Sequence, residues 1–386
     1  MFTSTRKLLN KNEFECITKG LSDDGGLFIC NNFKDFKIKE EFKCYDYIEM
    51  SYEILSFFFK NFSEKELKQI INNAYNKKNF IDNIVNTKFL NEKISFLELF
   101  HGPTMAFKDM ALTILPFLIE VAKKKHKVLD KSLILVATSG DTGGAALSSF
   151  MKNGSFDTVV LYPHGGVSEI QEKQMLYYTN DRTKADAVEG NFDDCQTFVK
   201  EIFSSYPKNN GVLLSSANSI NIGRLVPQIV YYIYSYVKMV NDGVIKFGER
   251  VNYCVPTGNF GDIFAGYLAK LLGTPIDKLI CASNVNKVLT DFFNKGIYDK
   301  RREFIKSNSP AMDILVSSNL ERLIYLASGK DGSKVNKYMK ELSANGYYQI
   351  SDEEREFLSC FMAQSSNEEE TLKTINKVFR ELGYLI

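Results

Sequence analysis

A chain of 386 residues with 44% hydrophobic content is long enough for two domains with sizeable cores. Its 48 basic and 47 acidic residues leave a net charge of +1, with no long single-sign block beyond Lys123-Lys124-Lys125 and Glu368-Glu369-Glu370, so neither nucleic acid nor an anionic membrane is an expected partner. Seven cysteines without a C-x-x-C pair and three scattered histidines give no support for a metal site and suit a reducing cytoplasm.

Met1 to Asn12 carries Arg6 and Lys7 with no apolar run behind them, which does not read as a secretory signal. The most apolar stretches, such as Leu112 to Ala122, are interrupted by Pro116 and Glu120 and fall short of the roughly 20 residues a membrane span needs. Up to about Lys88 a glycine turn, Ser22 to Phe28, and a helical pattern, Ser63 to Tyr75, form an N-terminal layer without visible chemistry. Ile94 to Phe100 then reads as a buried strand, broken by Gly102-Pro103, and Met110 to Val121 has apolar residues at helical spacing. Between them lies His101-Gly102-Pro103-Thr104-Met105-Ala106-Phe107-Lys108-Asp109. Lys108 is expected in the first turn of a helix, on an exposed rim, where the helix dipole and an apolar setting disfavour an ammonium and favour a reactive amine.

After Lys108 strands and helices alternate. Ser132 to Ala137, Thr158 to Tyr162, Val212 to Ser215, Val251 to Val255 and Lys278 to Ala282 read as strands. Helices are expected over Thr142 to Met151, over Ser168 to Tyr178 with a Ser168/Gln171 capping box, and over Asn221 to Val240, and further ones follow Gly261 and Asn286. Pro227 belongs to the first turn of its helix or marks a kink. This predicts an α/β chain with two open, mostly parallel domains: an N-terminal helical and β segment over 1–90, a first α/β domain over 91–240 and a second over 241–386, linked at Asn241-Asp242-Gly243. Ser328 to Asn336 reads as a solvated loop.

Ligands in such sheets sit beyond the carboxyl ends of the strands, and three loops there are unlike ordinary connectors. Thr138-Ser139-Gly140-Asp141-Thr142-Gly143-Gly144 offers hydroxyls and N–H groups to a carboxylate or phosphate, or is a plain helix cap. Pro256-Thr257-Gly258-Asn259-Phe260-Gly261-Asp262 lacks the Gly-Lys-Ser/Thr end of a Walker loop and the G-x-G-x-x-G pattern, and suits a compact monophosphate. Ser215 to Arg224 ends in an arginine able to bind a second phosphate through two bonds, or one that merely lies beside an Asn-rich turn. A helix-start lysine, a monophosphate cradle and a separate anion site together describe a pyridoxal-phosphate enzyme acting on a charged amino acid.

These stretches resemble threonine synthase, of the fold-type II (tryptophan synthase β-like) pyridoxal-phosphate enzymes. The likeness runs from Asp23-Asp24-Gly25-Gly26-Leu27 through the lysine motif, Thr138 to Gly143, Gln171-Glu172-Lys173, Ala217 to Asn221, Pro256 to Asp262 and Ala282-Ser283-Asn284-Val285-Asn286 to Pro310-Ala311-Met312-Asp313-Ile314. The resemblance implies that Lys108 forms the Schiff base with pyridoxal 5'-phosphate and acts as general base, with Gly258, Asn259, Phe260, Gly261 and Asp262 on the cofactor phosphate. It also implies that Asn218, Ser219, Arg224 and Thr142 grip the substrate phosphate and that Ser139 and Gly140 face the substrate carboxylate. His101 and Phe107 are supports, and Asp141 either faces the substrate or caps the following helix. The implied reaction converts O-phospho-L-homoserine and water to L-threonine and phosphate.

The alternatives are a dehydratase or phospho-lyase of the same fold, and a non-catalytic or truncated chain. Neither monomer nor homodimer is decided by the sequence. The chain ends at Glu381-Leu382-Gly383-Tyr384-Leu385-Ile386, where family members continue into an Asp-Pro-His-Thr-like segment and a Thr-x-His-Pro-Ala-Lys-Phe-like one that meets the cofactor's ring nitrogen. The chain as written is therefore expected to hold the cofactor weakly, to turn over little substrate and to leave apolar surface exposed or covered by a neighbouring chain.

Overall fold

In the computed structural model of the chain, which describes residues 1–207 and 211–385, the N-terminal layer is β1 (Phe2–Ser4), α1 (Glu13–Lys19), β2 (Phe28–Cys30), α2 (Tyr47–Phe58) and α3 (Glu64–Ala74). β1 and β2 pair antiparallel. Capping boxes start the two longer helices, Asp46 with Glu49 and Ser63 with Glu66. The hairpin of β3 (Asn86–Phe89) and β4 (Ser95–Glu98) leads into α4 (Asp109–Leu112) and α5 (Leu115–Lys125). The boundary expected at residue 90 thus falls inside a hairpin turn. The one helix expected over Met110 to Val121 is two, because Pro116 lacks the N–H that would bond Leu112 and sits instead in the first turn of α5.

Next come β5 (Lys131–Ala137), α6 (Asp141–Asn153), β6 (Asp157–Pro163), α7 (Glu169–Tyr177), β7 (Thr183–Val188), α8 (Phe192–Ser205) and β8 (Val212–Ser216). Their strands form a parallel sheet in the order β7-β6-β5-β8. The Ser168/Gln171 capping box is present on α7. β7 and α8 have no counterpart in the sequence reading: β7 is an edge strand carrying Lys184 and Asp186, so it shows no apolar run.

α9 (Ile222–Asn241) is buried along most of its length and packs against α2 and α10. Pro227 lies inside it, beyond the first turn. Ile229 and Ile233 have no exposure, and truncating either to Ala would cost about 2–5 kcal/mol. Then follow β9 (Val251–Pro256), α10 (Gly261–Leu271), β10 (Ile276–Ser283), α11 (Val288–Lys295), β11 (Ile297–Asp299), α12 (Leu320–Ala327) and α13 (Gly332–Asn345). The chain finishes with β12 (Tyr347–Gln349), α14 (Asp352–Phe357), β13 (Phe361–Ser365) and α15 (Glu368–Leu382). β13, β10 and β9 make a second parallel sheet in that order.

Of the loop expected over Ser328 to Asn336, the stretch up to Asp331 does connect α12 to α13, whereas from Gly332 on it is the first turn of a helix. The Asp331 carboxylate accepts from the N–H groups of Ser333 (2.9 Å) and Lys334 (3.2 Å) and opens α13. One cluster of buried apolar side chains runs from Phe2 to Ala363 through all three expected segments, and a smaller one lies beneath α8. The ends of β5, β8 and β9 converge on one cleft. No described helix is long and apolar enough to cross a membrane.

Candidate functional site

The lysine loop is built around Asp109. Its carboxylate has no exposure and accepts from the Thr104 N–H (2.7 Å) and hydroxyl (2.8 Å), while burial pushes its pKa up. A Cβ on Gly102 would lie 2.5 Å from that of Asp109, so only glycine lets the strand end pass so close. The knot leaves Lys108 as the residue preceding α4, buried rather than on an exposed rim. Its Nζ lies 3.1 Å from Asp141 Oδ2 and 4.6 Å from the centre of the Phe107 ring. The apolar setting expected around the amine is thus corrected: a carboxylate at the start of α6 faces it. His101 points away, to Glu98 (3.1 Å).

In the loop after β5 the Thr138 hydroxyl accepts from the N–H groups of Gly140 and Gly143, both at 2.9 Å, and so serves as the cap of α6. Gly140 has φ +137°, and a Cβ there would overlap the Gln171 carboxamide. Asp141 is the first residue of α6, not its cap. Its second oxygen accepts from Gln171 Nε2, and the Lys108 ammonium holds its pKa below the usual carboxylate range. Ser139 and Thr142 line the cleft with Lys108 and Asp141.

In the turn after β8 the side chain of Asn218 is already engaged. Its Nδ2 donates to the Ala137 carbonyl (2.7 Å) and its Oδ1 accepts from the Ala137 N–H (3.2 Å), which locks the ends of β5 and β8 together. Asn221 caps α9 by accepting from the Gly223 N–H (2.8 Å). Arg224, 3% exposed, donates through Nη1 to the Ala217 carbonyl (2.8 Å), but its Nε has no acceptor. Burial without a carboxylate partner among the described residues pushes the guanidinium down to about 10, so it stays charged at neutral pH. One turn further, Gln228 enters the same cleft.

The loop after β9 is shaped by backbone. Phe260 precedes α10 in a left-handed conformation, φ +63°, with no side-chain cap. That geometry costs about 1–2 kcal/mol for a non-glycine residue, and its buried ring recovers it against Phe293 and Phe361. From Gly258 to Asp262 no backbone N–H donates to another protein group among the described residues. A Cβ on Gly258 would stand 3.1 Å from the Ala311 carbonyl, and one on Gly261 3.1 Å from Ser219 Cβ. Asp262 lends this loop its N–H only, because its carboxylate accepts from the Tyr231 (2.5 Å) and Tyr232 (2.8 Å) hydroxyls and burial pushes its pKa up.

Supports from later in the chain have no role assigned by the sequence, although Asn284, Asn286 and Asp313 lie in stretches that carry the family likeness. Asn319 Nδ2 donates to Ser219 Oγ (2.8 Å) and to the Asn259 carbonyl (2.9 Å), tying the two turns together. Arg322, fully buried, donates to the carbonyls of Phe28 (2.9 Å) and Ile220 (2.5 Å). Asp313 gathers Asn284 Nδ2 (2.7 Å), Asn286 Nδ2 (2.9 Å) and Ser307 Oγ (2.7 Å), two residues after the Ala311 carbonyl that packs near Gly258. Gln228 could have been noticed as the polar residue four places after Arg224 in an apolar helix. The resulting cleft, about 1300 Å³ with its open mouth, brings together Lys108, Ser139, Asp141, Thr142, Asn218, Ser219, Arg224 and the 258–262 loop; Gly140 lies in the loop beside it.

Residues 1–75 match the family described as the threonine synthase N terminus. Threonine synthase of Pseudomonas aeruginosa is 37% identical over 392 residues, covering 100% of this chain and 81% of that protein. Human threonine synthase-like 1 is 38% identical over 392 residues, covering 96% of this chain and 52% of its own length, so the chain spans about half of that relative. The solved PLP-bound threonine synthase from Brucella melitensis superposes with a TM-score of 0.89 at 34% identity, over 100% of this chain and 82% of that one.

Proposed function

The chain belongs to the threonine synthase family, and from that premise we propose that it converts O-phospho-L-homoserine and water to L-threonine and phosphate with pyridoxal 5'-phosphate. The observation that carries the reading is a buried Arg224 guanidinium, with no carboxylate partner among the described residues and its Nε without an acceptor, in the same cleft as Lys108 and a second, backbone-built anion cradle. A dehydratase acting on an unphosphorylated amino acid has no use for the second anion seat. The seven cysteines are all free thiols, and we place the reaction in the cytoplasm.

The residues present fit the cofactor. Unmatched N–H groups from Gly258 to Asp262 at the start of α10 suit its monophosphate, and Lys108 supplies the amine. When bound, the cofactor supplies an electron sink for the substrate carbons. Lys108 then takes and returns the α-proton and removes one at the β-carbon. Asp141, the first residue of α6, aims the lysine and is itself held by Gln171 of α7, while the Ser139 hydroxyl, beside Gly140, faces the amino-acid end of the substrate and the Thr142 hydroxyl joins the grip on its phosphate. Arg224 takes the substrate phosphate, with Ser219 beside it, and Asn218 acts by holding the two strand ends in place.

The test is product analysis with phosphohomoserine after cofactor loading. Threonine with an equal amount of phosphate is expected, and 2-oxobutyrate as the main product would move the chain to the lyase reading. Cofactor titration of the same sample measures how tightly the chain holds it.

A further inference from the structure

Arg224 and Gln228 stand one helical turn apart on α9, and both line the cleft. Gln228 is 1% exposed, yet its Oε1 meets no donor among the described residues. Buried amide oxygens are rarely left in that state. The neighbouring positions of the helix, Leu225, Val226, Ile229 and Val230, are apolar and buried, and an apolar residue at 228 would avoid the cost. A carboxamide oxygen only accepts, so whatever faces it must carry an O–H or N–H. Arg224, one turn away, has the opposite need and takes an acceptor.

The two demands separate the substrates of the proposed reaction. Phosphate oxygens are acceptors and belong to Arg224. The substrate amino group is committed to the cofactor beside Lys108. Water is the remaining reactant, and it carries O–H donors. Its target, the β-carbon, is adjacent to the γ-carbon that bears the phosphate, which matches an acceptor about 5–6 Å along the helix from the phosphate seat.

We infer that Gln228 positions the water that adds at the β-carbon, its Oε1 accepting a hydrogen bond from that water. This rests on the function proposed above. The step balances without an oxidant or reductant. The γ C–O bond breaks with its electron pair on the phosphate, and a lone pair of the water oxygen forms the β C–O bond. The β-carbon gives up one hydrogen and the γ-carbon gains one. The second water proton ends, in net stoichiometry, on the phosphate, which leaves as hydrogen phosphate. Gln228 orients the water and never changes protonation.

The test compares the cofactor-loaded wild type with Gln228→Leu and with Gln228→Met, whose unbranched chain follows that of glutamine more closely and gives a second chance of a folded variant. Threonine and 2-oxobutyrate made from phosphohomoserine are quantified. Loss of the acceptor is expected to shift the product ratio about tenfold toward 2-oxobutyrate, with KM changed by less than about threefold. Calorimetry of cofactor-free protein with inorganic phosphate supplies a second readout, in which Gln228→Leu binds like the wild type and Arg224→Ala does not. An unchanged product ratio in a folded Gln228 variant overturns the inference while leaving the threonine synthase reading intact. Loss of phosphate binding in Gln228→Leu also overturns it, by assigning the residue to the phosphate seat. A wild type that makes neither product sinks the parent reading and this inference together.

Discussion

The turns after β8 and β9 occupy equivalent places, each at the carboxyl end of a parallel strand and each feeding a largely buried helix, yet the proposed function has them hold anions in different ways. α9 is capped by its own Asn221, so its first N–H groups are partly matched within the protein, and positive charge comes from the Arg224 side chain. α10 begins at a left-handed Phe260 that offers no cap, and its turn presents N–H groups and no cation. A capped helix start needs a charged side chain to hold a phosphate, while an uncapped one holds it with backbone alone. The first should fail when a side chain is removed, and the second when one is added.

Lys108 lines the same cleft as the two seats, and its loss is the largest expected break. Lys108→Ala should lower turnover by about 10³-fold or more, since both the anchoring amine and the base disappear. Both phosphate seats should survive, which phosphate calorimetry on the cofactor-free variant would report. Full turnover in this variant would end the pyridoxal-phosphate reading. Arg224→Ala comes next. A charged hydrogen bond of about 2–3 kcal/mol corresponds to a rise of roughly 10²-fold in KM for phosphohomoserine, with cofactor affinity untouched. A variant that loses the cofactor and keeps its KM would mean that the two turns have exchanged roles.

The sequence made parts of this comparison legible and hid others for physical reasons. Strands such as Leu133 to Ala137, buried between helices, announce themselves as apolar runs, and Ser168 with Gln171 marks a helix start by spacing alone. Lys108, the Gly258 to Asp262 turn and Arg224 were legible because glycine, asparagine and a lone charge at a strand end are local signals. What was hidden is pairwise and long-range. Asp141 meeting Lys108 joins positions 33 residues apart, Asn319 meeting Ser219 joins positions 100 apart, and the use of Asn218 on Ala137 spans 81. No spacing rule reaches across such distances. The start of α13 reads as a continuation of the preceding loop because Ser328 to Gly332 is polar and glycine-bearing, the composition that a capped helix start shares with a turn.

Adding a side chain to the backbone cradle is the converse of deleting Arg224. At Gly258 the new Cβ would press at 3.1 Å on the Ala311 carbonyl, a backbone atom two residues before the hydrogen-bonded Asp313. At Gly261 it would press at 3.1 Å on Ser219 Cβ, which Asn319 secures. Gly258→Ala is expected to weaken cofactor binding about tenfold by shifting the N–H groups, with a KM change of less than about threefold. Gly261→Ala should disturb both seats, because the atom it displaces belongs to the other turn. Equal effects of the two substitutions on both ligands would dissolve the distinction between the seats.

A third helix start, that of α6, sharpens the comparison with the smallest effect. Thr138 caps it, and the first residue of the helix, Asp141, turns its carboxylate to Lys108. The Lys108 charge is the main cause of the lowered Asp141 pKa. A carboxyl group whose pKa is depressed on folding gives its stabilisation in full above the unfolded value, about 4, and loses it as pH falls through the depressed one. In cofactor-free protein, the melting temperature of wild type should exceed that of Asp141→Asn by a margin that is constant between pH 7 and pH 5 and narrows below about pH 4. Asparagine can still accept from Gln171 and Lys108 but carries no charge, so the margin isolates the ion pair from the hydrogen bonds. A margin that widens on acidification would mean that Asp141 is more easily protonated in the folded chain than in the unfolded one, and the pairing with Lys108 would then not be what holds the lysine in the cleft.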